Sequence, residues 1–311
     1  MKEIKAPGKW IKEIGAHWPL ADAARQVLTV RVEGLELLLP LAAERADEDD
    51  EYVHQLRVAT RRSGAALEVF ESCLSPKRYR KTKRCLKRVR RAANDARECD
   101  VHRTLLEADR AAAEPALSDL LGRVNSQLDE ERRTAQLAIG EAAERYPVQR
   151  LRRSREKLVD AAREPDSRLR LIDRADELIP AMLAGVRAAA TSDLTAFDSV
   201  HELRLTCKRL RYAIEVFRAC FSAGFDALYD SLGRLQEQLG DINDSDELRR
   251  RVETWAAANT TGDAADARPA IGFYEQRLAQ QARAFLASWE GGGRDDFLCT
   301  LDQFRLQVPQ S

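Results

Sequence analysis

The sequence Val53-His54-Gln55-Leu56-Arg57 recurs later in the chain as Val200-His201-Glu202-Leu203-Arg204. Aligned without a gap, residues 53–74 and 200–221 are identical at 10 of 22 positions. Two of the four histidines occupy the same place in the two copies. A match of this length predicts an internal duplication, whose shared unit is a helix with a basic stripe that includes a histidine.

Composition and periodicity both indicate an all-α protein. Aromatic residues make up 6% of the 311 residues, and apolar residues recur at helical spacing along most of the chain. The duplication divides the chain into a first helical bundle over 1–163 and a second over 164–311, which together form one domain. Each half contains enough predicted helices for an antiparallel bundle.

Capping signals predict where helices begin and end. Ser75-Pro76 places an N-cap residue before a proline at the first helical position, so we predict a helix that begins at 76. We predict a turn over 93–100, followed by a further helix over about 100–112, and the second half repeats this turn over 239–246.

Charge is balanced over the whole chain but not along it. Lys and Arg number 51, as do Asp and Glu, so the net charge is zero. Residues 54–91 nevertheless hold thirteen Lys and Arg against two acids. This asymmetry predicts a strongly basic face on a neutral protein.

Neither a membrane span nor a secretory signal is visible in the sequence. The most apolar run, 35–43, contains Glu36 and Pro40 and is too short to cross a bilayer. The N-terminus is charged and lacks the apolar region of a signal peptide. We therefore expect a soluble, cytoplasmic protein.

The shared helix carries its cations on one face. His54, Arg57 and Arg61 follow one another in steps of three and four, so they share one side of a helix. The second copy repeats this stripe with His201, Arg204 and Lys208, followed by Arg211 or Tyr212.

The next predicted helix is even more basic. Ten of the fifteen residues over 77–91 are Lys or Arg, and none is acidic. Like charges at helical spacing repel one another, so packing or a bound anion has to offset the repulsion. One face of this helix carries Arg80, Arg84, Lys87 or Arg88, and Arg91. We expect this face to point to the same groove as Arg57 and Arg61. The alternative is a solvated basic face without a ligand.

Metal binding and catalysis are weaker interpretations of the paired histidines. Each histidine has an arginine three residues later, and cations disfavour a metal ion. The sequence contains neither a phosphate-binding glycine loop nor a zinc-protease or serine-hydrolase motif. We therefore expect no cofactor and no metal site.

Phosphate recognition suits these residue types better. Arginine binds phosphate oxygens in pairs, lysine supplies a point charge, and a protonated imidazole donates from both nitrogens. Only Phe70 and Tyr79 are aromatic between Arg57 and Arg91, whereas proteins that bind single-stranded nucleic acid place aromatics among their cations. This pattern favours inorganic polyphosphate, while duplex DNA bound through its backbone stays open.

The two motifs resemble those of the CHAD family, the conserved histidine α-helical domain. The resemblance lies in 54–62 and 201–212 and in the segments 97–101 and 239–244, and it extends over roughly 20–306. It implies two antiparallel four-helix bundles related by a pseudo-twofold axis, with a basic central groove that binds inorganic polyphosphate. Family members are often fused to a catalytic CYTH domain, and we expect a stand-alone CHAD protein without one.

The chain departs from the family pattern at three places. Ser63-Gly64 stands where the family usually has Leu-Arg, Leu205 where a lysine is common, and Glu98 where an aspartate is usual. The basic helix over 77–91 is expected to compensate for the lost charge.

Together these patterns predict a non-enzymatic protein that binds long-chain polyphosphate, with nucleic acid as a weaker competitor and association with polyphosphate granules. The alternatives are a metal-dependent phosphohydrolase acting on polyphosphate or nucleotides, and a nucleic-acid-binding or granule-scaffold protein. The residues predicted to contact polyphosphate are His54, Arg57, Arg61, Arg62, Arg80, Arg84, Lys87, Arg88, Arg91, His201, Arg204, Lys208, Arg209, Arg211 and Tyr212.

Overall fold

The protein is all-α, as its periodicity predicted. The computed structural model describes residues 8–163, 166, 168–258 and 267–306. Its α-helices are α1 Leu20–Glu44, α2 Glu51–Val69, α3 Pro76–Ala112, α4 Pro115–Arg145, α5 Val148–Val159, α6 Leu171–Ala190, α7 Phe197–Val216, α8 Phe225–Ala258, α9 Arg268–Ser288 and α10 Arg294–Gln303. Two short strands, β1 Phe221–Ala223 and β2 Arg305–Leu306, pair in antiparallel orientation.

Helix α3 begins where its capping signal predicted. The backbone N–H of Arg78 donates to the hydroxyl of Ser75 at 3.4 Å, and Pro76 occupies the first turn. Tyr79, Leu86 and Val89 are buried on one face, which fixes how the basic helix lies on the rest of the protein.

The predicted turns over 93–100 and 239–246 are wrong, because both segments lie inside long helices. Helix α3 runs through the first without a break and α8 through the second. No proline or glycine interrupts residues 77–112, and Ala93 and Ala96 continue the buried face. Packing along this face therefore outweighs the turn preference of Asn94-Asp95.

The main hydrophobic core draws on both halves of the chain. Leu28 of α1 and Phe70, which follows α2, belong to the same buried cluster as Leu203 of α7 and Leu232 of α8. The boundary at 163/164 and the duplication stay predictions, and residues 164 and 165, just after that boundary, lie outside the described residues. None of the described helices combines the length and the hydropathy that a membrane-spanning segment requires.

A buried ion pair joins α2 to α7. Glu215 is 2% exposed, its carboxylate accepts from Arg62 Nε at 2.8 Å, and it also accepts from the hydroxyl of Tyr229 at 2.8 Å. Arg31 of α1 approaches the same carboxylate to 3.7 Å. Burial lowers the pKa of Arg31 to about 10, and Glu215 opposes that change. One carboxylate thus connects four helices and neutralises charge inside the core.

Replacing Glu215 with glutamine will lower the free energy of unfolding by about 3–5 kcal/mol, because Arg31 and Arg62 are left without a counter-charge in a buried site. The matched control is Glu68→Gln, at the aligned position of the first copy. Glu68 and its partner Lys83 are both more than half exposed, so that change will alter stability by less than about 1 kcal/mol. Urea unfolding measures both, and an equal loss in the two variants would contradict the structural role of Glu215.

Candidate anion-binding site

Four cations gather where α2 packs against α7. We call Arg57 and Arg61 of α2, with Arg204 and Lys208 of α7, the central cluster. All four side chains are half-buried. Within the described residues, none of the four forms an ion pair with a carboxylate, although Arg204 donates to the amide oxygen of Asn243 at 3.4 Å. The cluster therefore concentrates positive charge between two helices without a direct ion pair to offset it.

The pKa values in the central cluster are lowered both by burial and by repulsion between neighbouring cations. Burial lowers the pKa of Arg57 to about 10, and the neighbouring charges of Arg61 and Arg204 add to that effect. Burial likewise lowers the pKa of Lys208 to about 7, with further contributions from Arg204, Arg61 and Arg57. Like charges that are partly removed from water disfavour one another, so a bound anion would stabilise all of them.

Several polar atoms in and beside the central cluster are buried without a hydrogen-bond partner. Among the described residues, these include Nε of Arg57, Nε of Arg204 and Nδ1 of His54. Buried polar groups nearly always have a partner, and an unmet donor disfavours the free state. The arrangement suits a ligand that brings acceptor oxygens.

The two matched histidines lie in different surroundings. His54 is half-buried, and burial is the main cause that lowers its pKa below the usual value; Glu51 opposes this, while Arg97 and Arg57 reinforce it. His201 is exposed on α7. The structure thus brings His54 beside the central cluster and leaves its counterpart at the surface.

Arg97 is a site residue that the sequence prediction missed. It lies on α3, influences the pKa values of both His54 and Arg57, and pairs with Asp50 at 3.1 Å. The sequence signal was the spacing of seven between Lys83, Arg90 and Arg97, and the structure shows that Lys83 of this series pairs with Glu68 of α2. Two turns of an α-helix span about seven residues, so Arg90 falls between Lys83 and Arg97 along the same side of α3.

Arg62 and Arg211 were predicted to bind the ligand, but both are engaged within the fold. Arg62 points inward to Glu215. Arg211 donates to Gln236 at 3.0 Å, and its guanidinium lies 4.6 Å from the ring centre of Tyr229. Tyr212, by contrast, is close enough to Arg57 to raise its pKa, and Arg209 is exposed on α7.

The basic stretch of α3 does not point to the central cluster as expected. Arg84, Lys87, Arg88 and Arg91 line a separate groove, which we call the lateral groove, between α3, α5 and α1. The reason is the direction of the buried face of α3, which turns these side chains toward α5. Arg80 is exposed on α3 and does not line that groove.

Side chains that could hold a metal are not grouped in the described part of the chain. No set of three or more His, Cys, Asp or Glu there has a suitable arrangement. The carboxylates that influence the central cluster are Asp244 and Glu247, which raise the pKa of Arg204. Their place beside cations favours charge balance over metal ligation.

Comparison with known proteins gives a consistent picture. The family model described as the CHAD domain matches residues 36–253. The CHAD domain from the plant Ricinus communis is 21% identical, with a TM-score of 0.71 over 98% of this chain and 100% of that one. PptA from Streptomyces chartreusis is 18% identical, with a TM-score of 0.58 over 92% of this chain and 100% of that one. No curated protein matches the sequence significantly. At these identities the solved structures support the fold alone.

Raising the pH from about 7 to 9 will weaken polyanion binding by up to about tenfold per pH unit, because a bound anion requires the protonated form of Lys208. The pKa of Lys208 near 7 belongs to the free protein, and an anion raises it, so affinity is highest below pH 7 and falls above it. Dextran sulfate, whose charge is constant in this range, isolates the effect in a calorimetric titration. Lys208→Arg will remove most of the pH dependence and His54→Gln will retain it; the reverse result would assign the titration to the histidine.

Proposed function

The chain belongs to the CHAD domain family, and from this premise we propose that it binds inorganic polyphosphate at the central cluster. The observation that carries the proposal is the group Arg57, Arg61, Arg204 and Lys208, half-buried and without carboxylate partners among the described residues. Arginine pairs and a lysine suit a chain of tetrahedral anions, each of which offers several acceptor oxygens.

The surroundings of the central cluster favour polyphosphate over nucleic acid. Large exposed apolar side chains in the described part of the chain are Trp18, Leu137 and Phe197, and none of them belongs to the cluster. Tyr212 lies close enough to Arg57 to raise its pKa. Stacking platforms for bases are thus scarce, whereas phosphate contacts need none.

Helix α3 extends the positive surface beyond the central cluster. Arg97 pairs with Asp50 next to the start of α2, Arg90 lies seven residues before it on α3, and Arg80 is exposed near the beginning of the helix. A long polyanion that occupies the cluster therefore meets more cations as it continues, whereas a short one does not. This supports a preference for long chains through multivalent contact.

We propose further that the protein does not hydrolyse its ligand. No set of three or more His, Cys, Asp or Glu among the described residues is arranged to hold a metal ion, and burial raises the pKa of Cys207 on α7 to about 12, which disfavours its thiolate. Binding without turnover fits a cytoplasmic protein located on polyphosphate granules. A fluorescent fusion that stays diffuse in cells rich in granules would contradict that location.

The double variant Arg61→Gln/Arg204→Gln will weaken long-chain polyphosphate binding by about tenfold or more, since each side chain supplies charge-assisted hydrogen bonds. Its thermal midpoint will stay equal or rise, because repulsion within the cluster is relieved. The matched control is Arg133→Gln/Arg294→Gln, which removes two exposed arginines elsewhere and will change affinity less than about twofold. An equal loss of affinity in the two variants would show that binding depends on total positive charge, and it would contradict a defined site.

Affinity will increase with polyphosphate chain length and decrease steeply with salt, because longer chains contact more cations and release more counter-ions. A competition titration at fixed salt compares pyrophosphate, long-chain polyphosphate and duplex DNA. Polyphosphate will displace DNA, and phosphate release will be absent with or without a divalent metal. Equal affinity for pyrophosphate and long chains would contradict the multivalent site, stronger DNA binding would favour the nucleic-acid function, and metal-dependent phosphate release would favour the hydrolase.

A further inference from the structure

The lateral groove is a second basic cavity, with a volume of about 650 Å³. Its walls are α3, α5 and α1, together with Arg145 at the end of α4 and Tyr146. None of its described lining residues comes from α2 or α7, so it is a different place from the central cluster. The size lies in the range of cavities that hold small organic molecules.

The floor of the lateral groove is aliphatic. Leu35, Leu86, Leu151 and Leu158 reach it from three helices, and Val32 completes it. These side chains belong to the hydrophobic core or lie at its edge. These side chains are 1–6% exposed, so each presents only an edge to the groove; an alkyl or similarly apolar group would cover those edges, whereas a bare polyphosphate chain would not.

The rim of the lateral groove is cationic. Its lining includes no Asp or Glu among the described residues, and Arg155 alone of its cations is neutralised there, by Glu33 and Glu36 of α1. The cations without a carboxylate partner in the described part of the chain are Lys81, Arg84, Lys87, Arg88, Arg91, Arg145 and Arg150. A ligand that matches this rim carries a concentrated negative charge at one end.

Tyr146 and its neighbours give the rim a defined geometry. Arg88 donates to the hydroxyl of Tyr146 at 3.1 Å, and the guanidinium of Arg150 lies 5.5 Å from the centre of its ring. Arg150 also donates to the backbone carbonyl of Arg145 at 2.9 Å. Two arginines are therefore held above the apolar floor, which is the arrangement that orients a phosphate group while its substituent lies below.

We propose that the lateral groove binds an amphiphilic phosphate monoester, with the phosphate on Arg84, Arg88 and Arg150 and the apolar group on the leucine floor. The separation of charge and apolar surface within one cavity carries this inference. It is independent of polyphosphate binding at the central cluster, because no residue is shared between the two surfaces.

The test uses butyl, hexyl and octyl phosphate with the full-length protein. Burial of the alkyl chain will tighten binding by about threefold to fourfold for each added methylene, as measured by calorimetry. Octyltrimethylammonium and inorganic phosphate will each bind much more weakly, because one lacks the negative charge and the other the apolar group. Affinity that does not change with alkyl length would overturn the proposal.

Cys85 provides a second readout inside the lateral groove. It lines the cavity, and burial raises the pKa of its thiol to about 11, although Arg150, Arg88 and Lys81 oppose that increase. Octyl phosphate will slow the modification of Cys85 by methyl methanethiosulfonate, followed by mass spectrometry. Exposed Cys299 will react at an unchanged rate and serves as the internal control. Equal rates at Cys85 with and without the ligand would contradict binding in the groove.

Variants separate this site from the central cluster. Arg84→Gln/Arg150→Gln will weaken octyl phosphate by about tenfold or more, and Ser154→Trp will block the groove from a half-buried position on α5. Arg61→Gln/Arg204→Gln will leave octyl phosphate binding unchanged even though it weakens polyphosphate. If Ser154→Trp does not fold, the Arg84→Gln/Arg150→Gln variant and the protection of Cys85 still test the proposal. Equal affinity of octyl phosphate for that double variant and for the original protein would overturn it.

Discussion

The ion pair between Arg62 and Glu215 holds α2 against α7, and the candidate site on these helices depends on that junction. On the neighbouring face of the same two helices, the cations of the central cluster repel one another and lie partly out of water. The buried pair, with Leu56 and Leu203 in the core beneath, opposes this repulsion. The fold therefore holds the cations in place before any ligand arrives, which reduces the ordering that binding has to supply.

Much of the fold was accessible from the sequence because it depends on local rules. Apolar spacing predicted the all-α class, and Ser75-Pro76 predicted the beginning of α3. The turns expected at 93–100 and 239–246 failed because residues such as Ala93 and Leu239 are buried by neighbouring helices, and a local turn preference does not include that packing. The duplication is visible in the sequence, where 10 of 22 aligned positions are identical. The main hydrophobic core, however, contains residues from both halves and does not separate into two units.

The candidate site was less accessible because helical spacing defines a face but not the neighbour that the face meets. Arg57, Arg61 and Arg62 lie within six residues of one another in the sequence, yet Arg62 turns inward to Glu215 while the other two join Arg204 and Lys208. His54 and His201 match in sequence but differ in burial, since Arg97 and the start of α2 surround the first. The lateral groove could not be foreseen, because it depends on how α5 approaches α3.

Helix α3 is uninterrupted over 37 residues, or about 55 Å, and its first turns lie far from its middle. Its cations are concentrated in the N-terminal half, where the aligned peptide dipoles already create positive potential, so charge and dipole oppose each other there. Tyr79 and Leu86 secure this segment through packing on one side only. We therefore expect anions to increase the protection of amide hydrogens from exchange most strongly in these first turns. The rigidity of this end of the helix thus depends on the anions in solution as well as on the sequence.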